Sequence, residues 1–302
     1  MKIATTIGDL YPYTQTPAEA VRLFAGSGFR YLDYSFSCSP ANPEDLLLSD
    51  RWEDAIHACK DAADELGFSF VQAHAPLNAA RGKHFEIVIK ATIRAIEACG
   101  ILGIGNMVIH SGCFPECKYP DDQLVYFKEN EPFFRALIPA MERHNVHILF
   151  ENTTAKHCPD NMYFPRLGRD LNVFVEYMDH PLFGAAWDVG HAHLDGVDQY
   201  AQVMELGKHL KAIHVHDNNG QTDQHTAPFC GTLDFDALMR GLLESGYDGF
   251  FTLEPGGFFK PRRSADLHGP LAQTPLEVKK AAIAMLYTIS KSILTAYDVF
   301  DA

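Results

Sequence analysis

The chain alternates short apolar runs with longer amphipathic stretches, eight times over. The apolar runs are Lys2–Ile7, Phe29–Phe36, Phe68–His74, Met107–His110, Val146–Glu151, Leu182–Asp188, Lys211–Asp217 and Phe250–Glu254. Each is short enough for a buried strand and rich in β-branched or aromatic residues. Between them, apolar residues recur three and four positions apart, the spacing of a helix face. Thr16-Pro17-Ala18-Glu19 is a capping box with proline at the first helical position. Its helix runs through Val21, Leu23 and Phe24 and stops near Gly26 and Gly28. Asp50-Arg51-Trp52-Glu53 opens a second helix that ends at Leu66-Gly67, and a third runs from Gly82 to Gly100. Others pass through Phe133, Phe134, Leu137 and Met141, and cover Leu171–Met178 and Val197–Leu210. Phe235, Leu238, Met239, Leu242 and Leu243 mark another with its stop at Gly246, and Pro275–Ala296 is the last. The pairs Gly28-Phe29, Gly67-Phe68 and Gly246-Tyr247 each join a helix to a strand, with the glycine suited to a C-cap.

Strand followed by helix, repeated, predicts a parallel sheet. Eight repeats predict closure into an α/β (β/α)8 TIM barrel, a single domain over residues 1–302. The open doubly wound sheet is the alternative, but no Gly-x-Gly-x-x-Gly follows the first strand. The length suits a barrel, and no linker of low complexity breaks the chain. Apolar residues make up 47% and charged residues 21%, the balance of a soluble protein with a large core. No apolar run is long enough to span a membrane. The first seven residues read as a strand and are too polar for a leader. Seven cysteines without a Cys-x-x-Cys pair point to reduced thiols and a cytoplasmic location; Cys113 and Cys117 lie close together but have no second pair to complete a zinc site. Net charge is −14 with histidine neutral, which argues mildly against a surface built for a polyanion. It does not exclude one, since bound divalent cations or a local basic groove override the global sign. A homodimer through the outer helices is compatible with the sequence, which singles out no interface.

The chemistry sits at the strand ends. Consecutive strands, from the third to the eighth, carry His74, His110, Glu151, Asp188, His214 and Glu254 at or near their C-terminal ends. In a barrel those ends meet at one mouth, where barrel active sites lie. A mixture of imidazole and carboxylate suits zinc, manganese or cobalt better than calcium or magnesium. His191 follows Asp188 by three residues, and Asp223 and His225 follow the seventh strand. These three either hold a further metal or contact substrate.

These residues resemble the xylose isomerase-like barrels, in particular sugar isomerases and epimerases of the tagatose-3-epimerase type and endonuclease IV. The resemblance covers most of the chain, from His74 to Glu254. In the epimerases an acid on strand five, an aspartate on six, a histidine on seven and an acid on eight hold one metal, which implies Glu151, Asp188, His214 and Glu254. That seventh-strand histidine lies three residues before an acid, so His214, before Asp217, fits better than His216. The likeness makes His191 a substrate contact. Endonuclease IV adds positions similar to His74, His110, His191, Asp223 and His225 and holds three zinc ions. Phe150-Glu151-Asn152-Thr153 and Trp187-Asp188-Val189-Gly190-His191 both look like its motifs. The segment Asp223-x-His225-x-x-Pro228-x-x-Gly231-x-Leu233-Asp234 also resembles sugar phosphate isomerases.

The expectation is therefore a metal-dependent isomerase or epimerase of a sugar, sugar phosphate or polyol, holding one to three divalent ions. Glu151 and Glu254 are the expected proton-transfer pair at a carbon beside a chelated carbonyl and hydroxyl. Lys260, Arg262 and Arg263 follow strand eight, a common place for a barrel to hold phosphate. The alternatives are a multi-zinc phosphodiesterase acting on abasic nucleic acid, and a dehydratase or lyase on the same barrel.

Overall fold

The computed structural model describes residues 1–42, 44–157, 161–259, 269 and 272–301. Eight parallel strands form one sheet in the order β7-β6-β5-β4-β3-β2-β1-β8. They are β1 Ile3–Thr6, β2 Tyr31–Ser35, β3 Ser69–His74, β4 Asn106–Ile109, β5 His147–Glu151, β6 Phe183–Asp188, β7 Leu210–His214 and β8 Phe251–Leu253. The ring closes between β7 and β8 through Val215, whose N–H donates to Thr252 O at 2.8 Å and whose carbonyl accepts from Glu254 N at 3.0 Å. The result is the (β/α)8 barrel that the eight repeats predict. No helix among the described residues is long and apolar enough to cross a membrane. The six described cysteines are all free.

The helices are α1 Pro17–Leu23, α2 Trp52–Leu66, α3 Phe85–Leu102, α4 Gln123–His144, α5 Gly168–Met178, α6 Val189–Leu194, α7 Gln199–Leu206, α8 Phe235–Glu244 and α9 Leu276–Ala296. Thr16 accepts the Glu19 N–H and Glu19 accepts the Gln15 N–H, so the predicted box forms one residue out of register on its return bond. Gly67 and Gly246 have positive φ at or just after the ends of α2 and α8, as a cap role requires. Gly28 also has positive φ but lies four residues beyond the Phe24 cap of α1, where a Cβ would meet the Tyr287 ring.

Three stretches differ from the sequence expectation. Strand β1 stops at Thr6, whose side chain caps a 3-10 turn over Ile7–Tyr13. Val189-Gly190, which the pattern of strands and helices leaves as the exit of the sixth strand into a loop, is the start of α6, because Asp188 Oδ1 accepts the His191 N–H at 2.6 Å and nucleates a helical turn. Strand β7 ends at His214 rather than Asp217: Asp217 exchanges both backbone hydrogen bonds with Thr226 and so turns the chain away from the barrel.

Between sheet and helices lies an aromatic core. Phe174 of α5 stacks on Phe150 of β5 at 4.3 Å between ring centroids, and on Phe127 of α4 at 4.7 Å. Phe134 meets it edge-on at 5.9 Å. Phe150 precedes Glu151 on β5, so this cluster fixes the strand that carries the central acid. Phe174→Ala is expected to cost about 3–5 kcal/mol in denaturant unfolding, the usual price of an aromatic-sized cavity; a loss under 1 kcal/mol would show that the cluster does not anchor β5.

Candidate metal centre

At the mouth of the barrel, Glu151, Asp188, His214 and Glu254 offer ligand atoms that all lie within 4.8 Å of one another. Three of them are buried, and only Glu254 is partly open, with 27% of its side chain exposed against 1% for Glu151. His74, His110 and Glu151 form a second such group. His157, His191 and Asp223 form a third, and His216, Asp223 and His225 a fourth. Glu151 belongs to the first two groups and Asp223 to the last two.

The acids share one difficulty. Three carboxylates meet where water is largely excluded, and burial alone penalises each ionised form. In this structure imidazoles supply the positive charge. Glu151 Oε1 lies 2.5 Å from His214 Nδ1, and Oε2 lies 2.6 Å from His110 Nε2 and 3.4 Å from His74 Nε2. Burial raises the Glu151 carboxyl, but His214 and His110 more than reverse this and hold it well below the ordinary range. Burial likewise raises Asp188, while His191 and His216 pull it down to a net depression. Asp223 is partly buried, and His157, His191 and His225 outweigh that burial and bring it far below its usual value.

The histidines respond in the opposite sense. Burial lowers each, and the carboxylates overcome it, holding His191 up to about 10 and His74 and His225 up to about 9.

The donor set fits a cation. Two carboxylate oxygens, Glu151 Oε2 and Asp223 Oδ1, are buried and make no hydrogen bond of acceptable geometry. Each belongs to an acid shared by two donor groups. The imidazoles are also oriented as metal ligands are, with the second nitrogen tied down. His74 Nδ1 donates to Ala75 O at 2.9 Å, His191 Nδ1 to Asn152 O at 3.0 Å, and His225 Nδ1 to Glu254 O at 3.0 Å. In each case Nε2 is left facing a carboxylate. His214 is turned the other way, with Nδ1 inward and Nε2 2.8 Å from the Gln72 amide. The Gln72 N–H donates to that Nε2, and the Nδ1 proton points at Glu151 Oε1; a cation at Nδ1 requires the amide reversed, with its oxygen accepting from Nε2–H.

Loop geometry delivers the outer ligands. Asp217 accepts hydrogen bonds from the N–H groups of Asn218, Gly231 and Leu233 at 2.8, 2.9 and 3.1 Å. This closes the loop that carries Asp223 and His225. Gly231 has no alternative there, since a Cβ would lie 2.2 Å from Asn218 O. Asp234 then caps α8 through the Ala237 N–H. The Asp223-to-Asp234 segment thus reads as a loop pinned at both ends.

Sequence reasoning passed over four residues here. His157, in the loop after β5, puts Nε2 3.2 Å from Asp223 Oδ2. Nothing in its Ala155-Lys156-His157 context marks it. His216 donates to both oxygens of Asp188 at 3.1 Å and stacks on His225 at 3.7 Å. Gln72, on β3, supports His214, and its oxygen accepts from Thr252 Oγ1 of β8 at 3.3 Å. Asn152 grips Asp188 through both backbone groups, at 2.6 and 2.9 Å. Two of these carried a signal: His216 stands two residues from His214 and Gln72 two from His74, the period that keeps side chains on one face of an extended chain. Lys260, Arg262 and Arg263, the expected phosphate contacts, lie outside the described residues.

Comparison with known proteins then identifies the group. Residues 21–268 match the family described as xylose isomerase-like TIM barrel. The chain belongs to that family. Among solved structures, the IolI protein with a bound zinc superposes with a TM-score of 0.72 at 15% identity, covering 100% of both chains. D-psicose 3-epimerase in the presence of D-fructose gives 0.72 at 12% identity, covering 97% of this chain and 99% of that one. The 3-keto-D-glucoside 4-epimerase YcjR of E. coli gives 0.69 at 19%, covering 95% and 99%. At these identities the likeness shows the fold. In sequence, an uncharacterised protein of Sinorhizobium fredii is 30% identical over 161 residues, 50% of this chain and 47% of its own. An uncharacterised protein of Methanocaldococcus jannaschii is 28% identical over 176 residues, 56% of this chain and 57% of its own. The match thus spans about half the length of these relatives.

Two outcomes follow from the geometry. In chelator-treated protein, His191, His74 and His225 keep protons that an unfolded histidine sheds near pH 6.5. Their contribution to stability is fully present below about pH 6.5 and is lost as pH rises through 9 and then 10. The denaturation midpoint should therefore fall across that window; a flat or rising midpoint would contradict the imidazolium–carboxylate pairing. Gly190→Ala places a Cβ 1.9 Å from His216 Cε1, and His225 closes the far face of that ring. The variant should lose about 1–3 kcal/mol, as overpacked sites do, measured by denaturant unfolding. Wild-type stability would mean that His216 is free to move.

Proposed function

We propose that this chain is a metal-dependent isomerase or epimerase of a sugar or related hydroxy-carbonyl compound. The observation that carries the reading is the four-ligand group at the barrel mouth, with Glu254 alone among the four facing a cavity. That cavity has a volume of about 460 Å³ and is walled by Glu254, His225, Thr6, Asp9, Tyr11 and Ser35, among others. Its size suits a small ligand and its wall is rich in hydroxyl and charged groups.

Glu151, Asp188, His214 and Glu254 would hold the ion. A divalent cation bound there supplies Lewis acidity that polarises a carbonyl with its adjacent hydroxyl and acidifies the neighbouring C–H. The chain's own groups do the rest. Glu254, reached from the cavity, takes the proton from the carbon; returning it to the neighbouring carbon completes an isomerisation, whereas epimerisation requires the proton to be delivered from the opposite face by a second acid. Glu151 was expected as its partner on the opposite side. Its three imidazole neighbours keep it ionised and make it a weak base, which gives it chiefly a ligand's part and leaves proton transfer weighted toward Glu254. His191, the expected substrate contact, is held by Asn152 O through Nδ1 and turns Nε2 toward Asp223. The relatives support this class: a stretch of 50 residues is 36% identical to fructoselysine 3-epimerase of Escherichia coli O157:H7, 17% of this chain and 18% of that one.

A second reading, a phosphodiester hydrolase with up to three ions, is favoured by one observation. Glu151 and Asp223 are each shared between two donor groups, the arrangement a multinuclear site requires. An AP endonuclease family 2 structure from Brucella melitensis shares the fold with a TM-score of 0.64 at 15% identity, covering 85% of this chain and 93% of that one. The net charge of −14 weighs against a long polyanion as its substrate.

Metal analysis of the purified protein separates the two. One manganese, cobalt or zinc per chain, with solvent deuterium entering a ketose, is the expected result. Three zinc ions per chain with phosphodiester cleavage would overturn it. Glu254→Gln should lower kcat by about 10²- to 10⁴-fold, the usual contribution of a positioned acid–base group. Glu151→Gln should instead release the ion, read as metal lost on gel filtration. Near-normal turnover in either variant would sink the assignment.

A further inference from the structure

Lys279 and Asp9 form a buried ion pair that nothing above uses. Lys279, in the first turn of α9, is 1% exposed, and Asp9, in the 3-10 turn after β1, is 8% exposed. Lys279 Nζ donates to Asp9 Oδ2 at 3.0 Å and to Phe258 O at 2.8 Å. Both residues wall the same cavity as Glu254 and His225. Asp9 is near enough for their charges to act on its carboxyl.

A buried ion pair is a poor stabiliser, since desolvation offsets most of its attraction. Nor is this one needed to hold its two elements together. Tyr13 Oη donates to Thr274 O at 2.8 Å and Gln273 Nε2 to Pro12 O at 3.2 Å, so neutral bonds already join the 3-10 turn to the approach to α9. The pair's position on the cavity wall calls for another account.

Its unused hydrogen-bonding groups supply one. An ammonium has three N–H groups, and two are taken. Asp9 uses Oδ2, and Oδ1 has no hydrogen-bond partner among the described residues. One donor and one acceptor are left beside each other, with net charge near zero. A hydroxyl group, which accepts and donates at once, satisfies both. A phosphate offers acceptors and would meet the Asp9 carboxylate; an amine would meet Lys279.

We propose that Lys279 and Asp9 form a hydroxyl-binding subsite that selects a neutral, unphosphorylated polyol end of the substrate. This rests on the isomerase or epimerase reading of the Glu254 site. It sets the specificity of the cavity against phosphate esters, in contrast to the sugar phosphate option that the sequence left open.

The test compares metal-loaded wild type with Asp9→Asn, Lys279→Met and the double variant, which removes both charges and so avoids an orphaned one. The probes are D-fructose, its analogue lacking the terminal hydroxyl, and its terminal phosphate ester. Solvent deuterium uptake gives kcat/KM for each, and calorimetry gives binding. Wild type should prefer the free ketose to the deoxy analogue by about ten- to a hundredfold, the range of a hydrogen bond to charged groups. It should bind the phosphate ester worst. In the double variant the free-to-deoxy ratio should fall toward one. A purely structural pair would lower both rates together and leave the ratio intact, which overturns the subsite. Equal binding of free and deoxy ketose by wild type overturns it as well, as does a preference for the phosphate ester. A binding preference for the free ketose that the double variant loses, without deuterium uptake, supports the subsite and overturns only the proposed reaction.

Discussion

Everything at the barrel mouth depends on keeping several carboxylates ionised in a space that water barely reaches. Glu151 is the sharpest case. It is almost wholly buried, and one of its oxygens makes no hydrogen bond although two imidazoles stand within 3.4 Å of it. Ionised carboxylates in such a place persist only beside matching positive charge. Here the charge is carried by His74, His214, His191 and His225, all held above the ordinary imidazole range. Protonated histidines and a divalent cation are alternative answers to the same constraint. Because the same nitrogens serve both, cation binding must expel protons, and the site's affinity must rise with pH.

The fold meets the constraint by assigning two tasks to neighbouring positions. Strands bring the ligands together, while backbone carbonyls fix which nitrogen each imidazole presents. Ala75 O, Asn152 O and Glu254 O come from residues that are themselves next to ligands or are ligands. Asn152, directly after Glu151, holds the backbone of Asp188 on the adjacent strand and the ring of His191 beyond it. One residue, through its side-chain amide and its backbone carbonyl, thus couples β5, β6 and α6. A small shift of β5 would misplace three ligands together, which is why the aromatic packing behind Phe150 matters to chemistry as well as to stability.

The barrel was legible because its signals are periodic. Eight apolar runs, each followed by a helix face, leave little choice of architecture, and the Gly-aromatic pairs mark helix ends through a backbone requirement that only glycine meets cheaply. The strand-end ligands were legible for the same reason, since topology converts sequence position into a shared location. What escaped was set by tertiary contact. His157 joins Asp223 only because a loop after β5 folds over one after β7, and no local pattern records that approach. The helix at Val189–Leu194 was hidden by a glycine that reads as a breaker. Gly190 is instead a space for the His216 ring, and the capping bond from Asp188 outweighs its weak helix preference. Asp9 and Lys279 stand 270 residues apart and meet only when the barrel closes.

The distribution of charge around the mouth also bears on what can enter it. Ligands on β3 to β8 concentrate acid and imidazole toward one side of the opening. The turn after β1 and the start of α9 contribute Asp9 and Lys279 as a neutral couple, with Tyr11 and Ser35 beside them. A cation held by the acids would leave that region strongly polarising, while the adjoining wall offers balanced hydrogen bonding and no excess of either sign. A substrate matched to both must carry its reactive oxygens at one end and uncharged hydroxyls at the other. Specificity in such a cavity comes from unpaired polar groups as much as from contacts made: a ligand lacking the distal hydroxyl would strand an ammonium proton and a carboxylate oxygen in a poorly hydrated wall, and a buried polar pair left without its partner is penalised more heavily than a lost apolar contact.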